Sequence, residues 1–69
     1  MLKNEFMQEI YLRIEINKLN FLNDRPAIRM LFNNHKDSIH KDGTLTDNQV
    51  NSWILTDREL SKCLTIARR

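Results

Sequence analysis

Apolar residues in the first part of the chain fall at helical spacing. Phe6, Met7, Ile10, Tyr11, Ile14 and Phe21 make one broad stripe, and Glu5, Glu9, Arg13 and Lys18 fall outside it. The pattern predicts a helix over 3–22. Leu12, Ile16 and Leu19 add a second, narrower apolar row. A helix with apolar residues on more than one side needs more than one neighbour. In so short a chain, a second copy of the protein is the expected partner for that row.

Asn23 or Asp24 is placed to cap the next helix, with Pro26 in its first turn, where a missing N–H costs nothing. Ala27, Ile28, Leu31 and Phe32 give that helix a buried stripe, and Arg25 and Arg29 share another face. Asn33, Asn34, Asp37, Ser38, Asp42 and Gly43 then read as a polar connection, with Gly43 supplying a positive φ and Ile39 plugging the loop onto the core.

The final stretch, Leu45 to Arg69, opens twice with the same device. Thr46 precedes Gln49 by three residues, and Thr56 precedes Glu59 likewise, which is the capping-box pattern. Hydrophobic staples accompany both starts, Leu45 with Val50 and Leu55 with Leu60. Asp47 and Asp57 add negative charge where the helix dipole favours it. The first of these helices is expected to bury Val50, Trp53 and Ile54, with Trp53 against Ile10, Ile14, Leu31 or Phe32. The second should bury Leu60, Cys63, Leu64 and Ala67. Breaks are expected near 23–24, 34–45 and 55–56, the last as either a kink or a true interruption. The fold class expected is therefore all-α: one small, self-associating domain of about four helices, with an N-terminal amphipathic helix over 1–24 followed by a region over 25–69.

Length reinforces the expectation of association. Sixty-nine residues make one domain with a modest core, and a single cysteine rules out an internal disulfide. A lone thiol suits a reducing compartment. Glu5 and Glu9 interrupt any apolar leader, so a cytoplasmic protein without a membrane segment is expected.

Few residues offer chemistry. His35 and His40 stand near Asp37 and Asp42, with Cys63 further on, but the spacing matches no standard zinc pattern. Both histidines read as solvated loop residues. The acidic loop fails as an EF-hand, because Gln49 would occupy its closing position. Cys63 sits at core spacing with Leu60 and Ala67, and the single glycine leaves no phosphate-cradling loop. No enzyme, cofactor or metal is expected.

Charge is what remains. The net charge is +2, unevenly spread. Residues 1–24 carry Lys3, Arg13 and Lys18 against Glu5, Glu9, Glu15 and Asp24, a net of −1. The later region carries Arg25, Arg29, Lys36, Lys41, Arg58, Lys62, Arg68 and Arg69 against five acidic groups, a net of +3. These eight cations are the candidate site, able to neutralise phosphates if they lie together.

The residues that carry these features resemble a known family. Arg25-Pro26-Ala27-Ile28-Arg29-Met30, a polar loop, Leu45-Thr46-Asp47-Asn48-Gln49, Trp53-Ile54, Arg58, Cys63-Leu64 and Ala67-Arg68 look like the PerC-like transcriptional activators. The resemblance covers about residues 20–69; Met30 stands where the family tends to have Trp. It implies a small, non-catalytic, DNA-associated activator of transcription, encoded on enterobacterial plasmids, prophages or pathogenicity islands and acting on promoters that include virulence genes. From the residues themselves a rival expectation stands beside it: a protein-interaction module that modulates a host regulator through the apolar rows of its first helix and does not bind DNA.

Overall fold

A computed structural model describes residues 1–69 as five helices and no strand: α1 (Lys3–Ile16), α2 (Lys18–Phe21), α3 (Arg25–Lys41), α4 (Asp47–Ser52) and α5 (Asp57–Arg68). The chain is 77% helical, an all-α domain, and spans 33 × 20 × 19 Å. No helix is long and apolar enough to cross a membrane.

The helix starts follow from local chemistry. Asp24 accepts from the Ala27 N–H at 3.1 Å and begins α3, with Pro26 in the first turn. Thr46 and Gln49 close a reciprocal capping box on α4, and Thr56 and Glu59 close another on α5. Each box satisfies two N–H groups that the first helical turn would leave unpaired. At the head of α1, Glu5 accepts from the Leu2 N–H.

The breaks depart from the expected ones in three places. The helix expected over 3–22 is interrupted at Asn17, whose side chain donates to the Arg13 carbonyl while its backbone leaves helical geometry. A short amide side chain that competes for backbone groups ends a helix in this way. The second departure is the connection expected over 34–45. Here α3 continues unbroken to Lys41, and only residues 42–46 are non-helical, with Gly43 at φ 81°. Ile28, Phe32, His35 and Ile39 recur at helical spacing and are all buried, so core packing outweighs the weak helix preference of Asn33, Asn34, Asp37 and Ser38. Ile39 is buried as expected, but from a helix rather than a loop. The third departure is at the end of α4, which stops at Ser52. Trp53 and Ile54 therefore lie in an extended link to α5: Trp53 is half-buried and Ile54 is 66% exposed, so Ile54 is not part of the core.

The core is built by α1, α3 and α5. Phe6, Met7, Ile10 and Ile14 come from the first, Ile28, Phe32 and Ile39 from the second, and Leu60, Cys63, Leu64, Ile66 and Ala67 from the third. Helix α5 packs against α1, α2 and α3, whereas α4 packs against α3 alone. Phe6 is fully buried and meets three rings: Phe32 edge-on at 5.2 Å, His35 stacked at 5.1 Å and Trp53 tilted at 5.5 Å. Trp53 thus meets the core at Phe6, a residue not among the expected Ile10, Ile14, Leu31 and Phe32.

Candidate functional site

His35 is not the solvated loop residue expected. Its ring is 8% exposed, lies against Phe6 and shares a hydrogen bond of 3.1 Å between Nε2 and Glu9 Oε1. It joins α3 to α1 inside the domain. His40 pairs with Asp47 at 2.6 Å and joins α3 to α4. No three of the His, Cys, Asp and Glu side chains converge. Cys63 is buried, and burial, reinforced by the nearby Glu59 charge, pushes its thiol up to about 11. A thiol held protonated is a poor nucleophile.

The eight candidate cations separate into distinct settings. Arg25, at the start of α3, and Arg68, at the end of α5, line one concavity with Asn23, Pro26 and Leu64. Asn23 holds a left-handed backbone at φ 55° and accepts from Arg68 Nε at 3.1 Å. Asparagine tolerates that backbone better than most residues. The turn between α2 and α3 thereby positions an arginine from a distant part of the chain. Arg69 lies beside it, its carbonyl accepting from Lys18 Nζ.

Arg29 and Lys36 line a second concavity with Phe32, Asn33, Trp53, Ile54 and Leu55. Lys36 Nζ donates to the Trp53 carbonyl at 3.0 Å and sits 5.3 Å from the centre of the Phe32 ring. From the other side, Lys3 Nζ donates to the Ile54 carbonyl at 2.9 Å and pairs with Glu59 at 3.0 Å. Two lysines from two helices thus fix the extended link between α4 and α5.

The remaining cations lie apart. Lys41 pairs with Asp37. Lys62 stands 4.5 Å above the Tyr11 ring, a contact of ammonium with π-face. Burial raises the Tyr11 hydroxyl pKa, with the Cys63 and Glu59 charges adding to it. Arg58 is exposed in the second position of α5. Of the eight, only Lys41 has a carboxylate within ion-pair distance; the protein's other ion pairs use Lys3, His35 and His40.

An apolar surface lies elsewhere. Leu12, Ile16 and Leu19 are 57%, 71% and 90% exposed, and nothing in the chain covers them. Met30 on α3 is also exposed and borders a shallow hollow with Phe21 and Leu31. Comparison of the chain with protein families, with curated proteins and with solved structures finds no match.

Proposed function

We propose that the protein is a small PerC-like transcriptional activator that associates with DNA and works without catalysis. The support in the sequence is the resemblance over residues 20–69. The support in the structure is the convergence of Arg25 and Arg68, distant in the chain, on one concavity with neither guanidinium paired to a carboxylate. With Arg69 and Lys18 nearby, that end of the domain concentrates positive charge, which is what a phosphate backbone selects. The decisive experiment is a titration of the pure protein with duplex DNA at several salt concentrations. Binding should weaken steeply with salt. Arg25→Ala with Arg68→Ala should reduce the slope by about one unit for each phosphate no longer neutralised, for all sequences alike. Absence of binding at low salt refutes the DNA reading.

A second reading draws on the exposed row of Leu12, Ile16 and Leu19. Three neighbouring aliphatic side chains left open to water form a surface suited to protein association. In the interaction-module reading this row meets a host regulator. In the activator reading it joins two copies of the chain, doubling the basic footprint.

A further inference from the structure

The groove between α3 and the α4–α5 link differs from the rest of the cationic surface. Its cations stand over an apolar floor. Arg29 and Lys36 have no carboxylate partner. Phe32 from α3 and, from the link itself, the half-buried Trp53, the exposed Ile54 and Leu55 line the space with them. The space amounts to about 190 Å³. The groove is open to solvent and has room for one side chain of moderate size.

The backbone adds a directional feature. The carbonyls of Trp53 and Ile54 are both taken, by Lys36 and Lys3. The N–H groups of Ile54 and Leu55 donate to no protein group. The Leu55 carbonyl is also left free, so the link offers two free donors against one free acceptor. Two free N–H groups, an arginine and a lysine call for a ligand rich in acceptors and negatively charged. The apolar floor calls for something a phosphate backbone lacks, an aliphatic or aromatic side chain.

We propose that this groove docks an acidic segment of a partner protein, with one apolar side chain seated on Trp53 and Ile54 and flanking carboxylates on Arg29, Lys36 and the free N–H groups. The site stands apart from the concavity of Arg25 and Arg68. It holds whether or not the DNA reading does.

The test uses the full chain and a fluorescently labelled peptide in which Asp and Glu residues surround a single Leu. Fluorescence anisotropy should show binding at low salt. Replacing the peptide's Leu by Ser should weaken it by about tenfold or more, as should Arg29→Glu or Ile54→Ser in the protein. Both protein positions are exposed, and circular dichroism should show unchanged helicity and melting. Arg25→Ala with Arg68→Ala should leave peptide affinity unchanged, so failure of this proposal is distinguishable from failure of DNA binding. No binding by the wild-type chain overturns the inference. Binding that ignores the peptide's Leu and Ile54→Ser overturns it too, because charge alone would then suffice. Displacement of the peptide by duplex DNA, with DNA affinity abolished in Arg29→Glu, would make the groove a phosphate site instead.

Discussion

Nε2 of His35 lies 3.1 Å from Oε1 of Glu9, and this contact joins the middle of α3 to the middle of α1 at the edge of the core. The two partners differ in what they lose if it breaks. His35 is buried, whereas the Glu9 side chain is 43% exposed and can turn to water. The main role of His35 is therefore to fill space beside Phe6. His35→Ala should cost about 2–4 kcal/mol through the cavity it opens. His35→Leu, which keeps the volume and leaves no buried polar group unpaired, should cost less than about 1.5 kcal/mol. Urea unfolding of the two variants checks this; equal losses would assign the stability to the hydrogen bond.

Phe6 is the ring on which three others meet, so its removal should cost more than that of Trp53. Phe6→Ala should cost about 3–5 kcal/mol, enough to unfold a domain of this size. Trp53→Ala should cost about 1–3 kcal/mol, since the indole is only half-buried. Thermal melts that reverse this order would place Trp53 at the centre of the core.

Glu59 makes the acid limb of stability predictable. Burial alone would raise its carboxyl, but the Thr56 N–H, the Lys3 ammonium and the Thr56 hydroxyl hold it below its ordinary value. A carboxyl depressed in the folded state contributes stability that is complete above its unfolded pKa and disappears as pH falls through the folded one. The denaturation midpoint should therefore fall as pH drops below about 4, near the unfolded glutamate value. Glu59→Gln keeps a side chain able to close the capping box but removes the charge, and should flatten that part of the curve. Because the pair is partly solvated, the effect should be about 1 kcal/mol or less. An acid limb identical in wild type and Glu59→Gln would show that Glu59 has no part in it.

The exposed row on α1 and α2 predicts a homodimer with those helices in the interface. Light scattering should give twice the chain mass at high concentration, and Ile16→Glu with Leu19→Glu should return it to the monomer without loss of helicity. A wild-type protein that stays monomeric at the highest attainable concentration sinks this prediction.

What could be read from the residues was mostly what is local. Asp24, Thr46 and Thr56 meet their N–H partners three residues away, so the starts of α3, α4 and α5 were visible in the spacing alone. The second half of α3 was hidden because Asn33, Asn34, Asp37 and Ser38 favour turns in isolation, and because His35 counts as polar until Phe6 and Glu9 are placed against it. The end of α4 was hidden for a related reason. Trp53 and Ile54 continue the helical spacing of Val50, but Lys36 and Lys3 capture their carbonyls from distant helices. The cations were legible as a set but not as groups. Arg25 and Arg29 look paired by spacing, yet the fold sends Arg25 towards Arg68 and Arg29 towards Lys36.

The clasp of Lys3 on Ile54 and Glu59 has a consequence for how the protein is made. The first helices find their closing partners only in the later part of the chain: Met1 meets Gln49, Lys3 meets Ile54 and Glu59, and Lys18 meets Arg69. While α5 is still being synthesised, Phe6, Ile10 and Ile14 have no complete surface to bury against. Folding therefore waits for α5, and a product cut short before it is left open to proteases and to aggregation.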